Sequence, residues 1–411
     1  FSAWAEFVVG DCRRDQELQI DKFAFLTRYA FSCLVDADST DTADFCREEE
    51  RPRALRSDFQ ACLDRVNARL SAFVCRTNLQ KARSALQAQA FQRADRNAEI
   101  YLMNMPTGSG KTLASVKIAL ERALAGKKKR IIYVIPYNSI IDQTVDVFEG
   151  LFGGELEILR HQSTFSYEDT EDQDEDYRKA AKLAVENWDA PFIVTTAVQI
   201  LNTLFSDQKS CIRRMHNLCN SVIIFDEVQA IPVKCTELFN LAVNFLSQFC
   251  GTTVVLCSAT QPTLASLEEN NICRCVEMSG ESEKYAKAFK RVEIIDETER
   301  YSGGMETEDL RDFALEKTEE YRSTLVIVNT TKCAFEVFQK LEDSCTEEYE
   351  IFHLSNNMCP QHKLDTLREI RNALRERAKK IICVSTQVVE AGVNFSFGCV
   401  IRSKAGLDNV I

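Results

Sequence analysis

The chain has 411 residues, 45% of them hydrophobic and 27% charged, and a formal net charge of −12. That mix can bury sizeable cores and excludes a disordered chain, and the lack of any run of about 18 uncharged apolar residues excludes a helical membrane span. The negative charge argues against a broad nucleic-acid surface, since phosphate binding needs lysine and arginine, yet a local field still decides binding in a narrow channel. Seven of the acidic groups lie in the run EDTEDQDED at 168–176, which reads as a solvated loop. The 17 cysteines are scattered, with Cys273 and Cys275 the only close pair and no CxxC. Several, such as Cys257 and Cys383, sit inside apolar runs, which fits reduced, buried thiols of a cytoplasmic protein better than disulfides or zinc ligands. The four histidines, His161, His216, His353 and His362, lie far apart and read as ordinary polar residues rather than a metal centre.

No recognisable signal peptide follows Phe1, so the sequence reads as a cytoplasmic segment of something longer. Residues 1–48 read as helical, with apolar spacing through Phe23, Phe25, Leu26, Tyr29, Ala30, Cys33 and Leu34. Residues 49–95 are charge-rich with helical spacing and read as a helical connector. From about 98 the period changes. Apolar, β-rich runs at 99–104, 130–136, 192–196, 221–227, 252–260, 324–330, 350–355, 380–386 and 398–403 alternate with helical stretches. Near-continuous apolar strands separated by helices predict α/β architecture, with parallel sheets covered on both faces. Nine strands are many for one compact sheet, and the acidic, glycine-containing stretch 278–308 places a domain boundary near 285–305. The expected parts are 1–48, 49–95, 96–290 and 291–411.

The first predicted strand runs into Met105-Pro106-Thr107-Gly108-Ser109-Gly110-Lys111-Thr112 and then into a helix. Glycines let backbone amides turn inward around phosphate oxygens, and the helix N-terminus adds its positive dipole end. Lys111 can reach the β- and γ-phosphates of ATP, and the Thr112 hydroxyl can ligate Mg²⁺. Met105 stands where the usual pattern has its first glycine, but strand, loop and helix supply the context that the motif requires. At 222–229, VIIFDEVQ delivers Asp226 and Glu227 at the carboxyl end of a strand, where parallel sheets place ligands. Asp226 suits Mg²⁺ and Glu227 suits the attacking water, with Gln229 placed to sense the γ-phosphate or the neighbouring domain. A further strand ends in Ser258-Ala259-Thr260, 32 residues after Asp226.

GSGKT, DEVQ and SAT in this order resemble superfamily 2 helicases, which use two RecA-like domains with ATP between them. Pro136, Tyr137 and Asn138 then resemble motif Ia, Thr195 and Thr196 motif Ib, and Asn329 and Thr330 motif IV. Ser385 and Thr386, with Glu390 and Gly392, resemble motif V. In that family these loops lie along one nucleic-acid strand, mainly on its backbone, a task that amides and hydroxyls at strand ends suit. The adenine-contacting glutamine usually precedes the phosphate loop, and Gln80, Gln87 and Gln89 are candidates.

Longer stretches are similar to the CRISPR-associated helicase–nuclease of type I systems, most of all its subtype I-C members. They are FSCLVDADSTDT (31–42), IIYVIPYNSIIDQT (131–144), ENWDAPFIVTTAVQ (186–199), RRMHNLCNSVIIFDEVQAIP (213–232), VVLCSATQPTL (254–264), STQVVEAGVNF and AGLDNVI. The resemblance implies tandem RecA-like domains preceded by the helical end of an HD nuclease domain. It implies a 3′-to-5′ translocase on single-stranded DNA (the non-target strand), recruited by the CRISPR RNA-guided complex Cascade to degrade invader DNA. An ATPase of the same architecture that remodels RNA or nucleoprotein without a nuclease is the alternative. Of the HD nuclease's metal ligands only the last has a counterpart here, in LVDAD: Asp38 matches best and Asp36 second, with Mn²⁺, Co²⁺, Ni²⁺ or Fe²⁺ as the divalent transition metal. As an alternative, these aspartates cap a helix. A calcium loop fails here, with Asp41 where glycine is required and Arg47 where glutamate is. The family's arginine-bearing motif VI is expected beyond Ile411, and the rest of the HD domain before Phe1.

Overall fold

The computed structural model describes residues 16–46, 54–94, 98–162, 175–259, 271–272, 274–280, 282–299, 301, 304–355, 357–389 and 395–404. The chain divides into two compact units, Phe1–Arg291 and Val292–Ile411. Among the described residues no helix is long and apolar enough to cross a membrane.

Unit 1 begins with three helices, α1 (Gln16–Phe45), α2 (Phe59–Ser71) and α3 (Asn78–Ala94). Then follow β1 (Ile100–Asn104), α4 (Lys111–Ala125), β2 (Arg130–Ile135), α5 (Ile141–Phe152), β3 (Ile158–His161), α6 (Glu175–Asn187), β4 (Phe192–Thr196) and α7 (Ala197–Phe205). The unit closes with β5 (Ser221–Phe225), α8 (Thr236–Phe249), β6 (Thr253–Ser258), β7 (Cys275–Glu277) and α9 (Ser282–Phe289). Its seven strands lie in the order β3-β4-β2-β5-β6-β1-β7, every neighbouring pair parallel.

Strand residues alternate between two cores. Ile132, Val134, Ile223, Phe225, Val254 and Leu256 face one core, with Phe239 and Leu246 of α8 and with Trp188. Ile131, Tyr133, Ile135, Val222, Ile224 and Val255 face the other, with α4 and α5. Burial on both faces is why these strands are almost uninterrupted apolar runs. The expected connector is part of this packing: Cys62 and Val66 of α2 and Leu86 and Ala90 of α3 are fully buried in the second core. On the opposite face α1 sets the Phe25 ring against Phe245 (5.2 Å) and Phe205 (6.0 Å).

Unit 2 runs α10 (Thr307–Tyr321), β8 (Ser323–Ile327), α11 (Thr331–Ser344), β9 (Tyr349–Leu354), α12 (Pro360–Glu376), β10 (Lys380–Ser385) and β11 (Cys399–Arg402). Its parallel sheet has the order β11-β8-β10-β9.

Two strands go beyond the nine that the sequence predicts, β3 and β7. They occupy opposite edges of the unit 1 sheet. Edge strands have one neighbour and one exposed margin, so they need fewer apolar residues and leave a weaker pattern. The capping expectation for Asp36 and Asp38 is corrected: α1 continues to Phe45, and both residues lie within it.

Candidate nucleotide site

The carboxyl ends of β5, β6 and β1 lie side by side, and each delivers one piece of the site. β1 leads into the phosphate loop. Gly108 and Gly110 take φ of +79° and +86°, left-handed conformations open to glycine at little cost, and α4 starts at once with Lys111. The first-turn amides of α4 have no intrahelical acceptor, so they are available to an anion. Met105, in place of the usual glycine, is fully buried in the core below the loop, and its N–H donates to Ser258 O at 3.1 Å. The first position of the loop therefore faces inward and tolerates a side chain.

Lys111 is 8% exposed, and its Nζ lies 3.0 Å from Glu227 Oε1. The other carboxylate oxygen of Glu227 accepts from Gln229 Nε2 at 2.7 Å, and Gln229 Oε1 accepts from Ser258 Oγ at 2.9 Å. One polar chain thus links the phosphate loop, the Asp-Glu pair and the end of β6. Glu227 sits at φ +50°, in the left-handed region. Asp226 accepts from Tyr133 OH at 2.7 Å and from the Glu227 N–H at 3.1 Å. Burial raises its carboxyl above the usual carboxylate range, and the Tyr133 hydrogen bond opposes that rise.

These residues fit ATP and Mg²⁺. The Ser109 hydroxyl is fully buried in the loop with no partner, and a divalent ion would add countercharge beside Asp226, whose hydrogen bonds come from the neutral Tyr133 OH and Glu227 N–H. Thr107, Gly108, Ser109, Gly110, Lys111 and Thr112 would hold the phosphates, and Thr112 with Asp226 the metal.

Of the three upstream glutamines, Gln87 reaches the loop: its Nε2 donates to Ser109 O (3.2 Å) and Gly110 O (3.3 Å). Gln80 instead accepts from the Arg76 and Thr77 amides ahead of α3. Sequence reasoning missed Arg83, whose Nε donates to Gly108 O at 2.8 Å, and Tyr133, which is hidden in an apolar run with no motif to mark it. Helical spacing was the available signal for Arg83, since it stands one turn before Gln87.

The nucleic-acid candidates separate by exposure. Tyr137, Asn138, Asn329 and Thr330 are exposed, and Pro136 is half-buried. Asn329 is braced by Arg402 Nη1 (2.9 Å), and Thr330 caps α11 through the Cys333 N–H. Thr195, Thr196, Ser385 and Thr386 are buried. Thr195 Oγ1 donates to His161 O, Thr196 caps α7, and Ser385 Oγ donates to Leu354 O, so these hydroxyls are engaged inside the protein. Thr260, Glu390 and Gly392 lie outside the described residues. His161 is a buried strand residue at an edge of the ring of Trp188. Asp38 is exposed, with Lys209 Nζ at 3.3 Å from its Oδ2. Among the described residues, no cluster of three histidine, cysteine or acidic side chains could hold a metal.

Known proteins resemble this chain in sequence and in fold. Residues 84–267 match the DEAD/DEAH box helicase family, and residues 320–411 match the C-terminal region of the CRISPR-associated nuclease/helicase Cas3. A CRISPR-associated nuclease/helicase Cas3 from Haloferax volcanii is 29% identical over 182 residues, which make up 40% of this chain and 19% of that protein. The fold is similar to T. fusca Cas3 with ATP (TM-score 0.64, 15% identity) and with AMPPNP (TM-score 0.60, 14% identity). Each alignment covers 87% of this chain and 45% of the other, so the chain spans less than half of those proteins. The likeness assigns a RecA-like fold to each of the two units.

Proposed function

We propose that this chain, a Cas3-like superfamily 2 helicase, is the ATP-driven motor of a single-stranded DNA translocase that works with an HD nuclease in type I CRISPR interference. The observation that carries the motor is the chain Lys111–Glu227–Gln229–Ser258 at the ends of three adjacent strands. Bound ATP·Mg²⁺ supplies the phosphoryl group whose transfer drives movement. Lys111 and the loop amides would bind its phosphates, Asp226 with Thr112 would hold the metal, and Glu227 would position and deprotonate water. Gln229 and Ser258 relay the occupancy of the site toward the nucleic-acid loops.

Tyr137, Asn138, Asn329 and Thr330 grip the DNA backbone, with an aromatic face and amide or hydroxyl groups that need no particular base. Thr195, Thr196, Ser385 and Thr386 shape the loops from within. Subtype I-C character and recruitment by Cascade rest on the sequence resemblance. So does the share of the nuclease metal site assigned to Asp38.

In the full-length protein Lys111→Ala and Asp226→Asn should each abolish DNA-stimulated ATP hydrolysis. Glu227→Gln should keep ATP binding within about threefold of the parent, because only the water-activating group changes, and lose turnover by at least about 10²-fold. A Glu227→Gln protein that hydrolyses ATP at the parental rate would remove the basis of the proposal.

A further inference from the structure

Asp36 and Asp38 are two residues apart on α1, so about 200° of helix separates their directions. Their environments differ accordingly. The Asp38 side chain is 67% exposed, whereas that of Asp36 is 18% exposed and enclosed by polar partners. Asp36 Oδ1 accepts from Arg213 Nε at 2.7 Å and from Asn187 Nδ2 at 3.3 Å, and its Oδ2 lies 3.3 Å from His216 Nε2.

Arg213 uses its whole fork. Nη1 reaches Glu186 Oε2 at 2.6 Å, and Nη2 donates to Thr40 Oγ1 at 3.2 Å, one turn along α1 from Asp36. The other ring nitrogen of His216 also lies against α1, with Nδ1 3.1 Å from Ser32 Oγ. Ser32 Oγ in turn accepts the His216 N–H at 3.0 Å. All three nitrogens of the Arg213 guanidinium and both oxygens of Asp36 have a partner, the condition under which a partly buried ion pair holds elements in one arrangement.

The partners of Asp36 lie near the amino ends of the sheet strands. Asn187 ends α6, and its carbonyl accepts from Asn217 Nδ2 at 2.9 Å. Asn217 O accepts from Arg130, the first residue of β2, at 2.7 Å. His216 stands five residues before β5, the strand that delivers Asp226 at its far end. A second arginine works in the reverse direction: Arg28 of α1 donates through Nη2 to Thr203 O of α7 at 3.0 Å.

We propose that Asp36 and Arg213 form a clasp that fixes α1 to the sheet carrying the nucleotide site, so that Asp36 is an anchor and Asp38, held by one exposed lysine, is the carboxylate more readily given to another partner. This stands on the contacts within unit 1 and goes beyond the motor activity proposed above. A metal centre would need Asp36 to give up Arg213 and His216 together, whereas Asp38 would give up one exposed lysine.

The test is hydrogen–deuterium exchange on the full-length protein, read at the amides of residues 23–45 with β5 as the internal reference. Arg213→Gln and Asp36→Asn are each expected to speed exchange in α1 at least about tenfold while β5 stays unchanged. The double variant should be no faster than the faster single one, as for two halves of one interaction. Arg213→Lys keeps the charge without the fork and should recover part of the protection, which a role in bulk alone would not distinguish from Gln. Where Arg213→Gln fails to fold, Asp36→Asn decides, since its amide keeps the shape of the side chain. Unchanged α1 exchange in Asp36→Asn, or effects that multiply in the double variant, overturns the clasp.

Discussion

Replacing Gly110 by alanine tests the geometry of the phosphate loop more sharply than removal of a charged group does. Gly110 has φ +86° and ψ 33°, where an L side chain costs about 1–2 kcal/mol. A Cβ built there would lie 2.3 Å from Gln87 Nε2, so the glutamine must withdraw. Withdrawal breaks its bonds to Ser109 O and Gly110 O, at about 0.5–1.5 kcal/mol each. Together these terms give a loss of about 2–5 kcal/mol, part of it appearing as global stability and part as disorder of the loop. Urea denaturation of Gly110→Ala should show that loss, and fluorescent-nucleotide titration a fall in ATP affinity of at least about tenfold, or 1.4 kcal/mol. Adding Gln87→Ala should cost little further stability, because its two bonds are already broken, and should not restore affinity, because the backbone term remains. A Gly110→Ala protein that melts within 0.5 kcal/mol of the parent and binds ATP equally well would refute the argument from conformation and contact.

Three other outcomes are expected. Asp38→Ala in the full-length protein should suppress metal-dependent cutting of single-stranded DNA while ATPase activity is retained, as measured in parallel nuclease and phosphate-release assays; normal cutting would remove Asp38 from the nuclease. Trp188→Ala should destabilise unit 1 by about 3–5 kcal/mol in urea, because the indole is fully buried and its loss opens a cavity. The His161 imidazole is pushed down to about 3, first by burial and then by Arg214. The fold therefore requires its neutral form: this stability is fully present above the unfolded value of about 6.5 and is lost as pH falls from there toward 3, by about 1.4 kcal/mol per unit. His161→Gln should flatten that part of the denaturation profile, and identical profiles for variant and parent would exclude His161 as the cause.

The sheets were legible because their strands are buried on both faces. Runs such as RIIYVI at β2 and SVIIF at β5 admit no other reading once helical stretches separate them. The phosphate loop and the Asp-Glu pair were legible because their chemistry needs fixed residue types in a strand-to-loop context. The contacts that complete the site were not. Tyr133 looks like one more apolar strand residue, and only the parallel register of β2 on β5, with Val134 beside Phe225, brings its hydroxyl to Asp226. Gln87 could not be chosen from Gln80 and Gln89 until the packing of α3 was known. The threonines at 195 and 196 show the converse: motif spacing singled them out, but burial gives their hydroxyls partners within the protein. Asp36 and Asp38 were ranked by motif, and their directions on a helix turn that ranking into different tasks.

The edge strands have a bearing on solubility. A long parallel sheet invites another chain to extend it wherever a flat margin lies open. In unit 1 those margins belong to β3, four residues carrying Arg160 and His161, and β7, three residues ending in Glu277. Arg160 pairs with Asp142, and Glu277 accepts from Asn104 and Ser279 beside it, which keeps charge at both borders. A partner strand would gain few ladder bonds there and would meet charged groups at either end. The features that hid β3 and β7 from a reading of apolar pattern are thus the ones that discourage growth of the seven-stranded sheet of unit 1 through its rims.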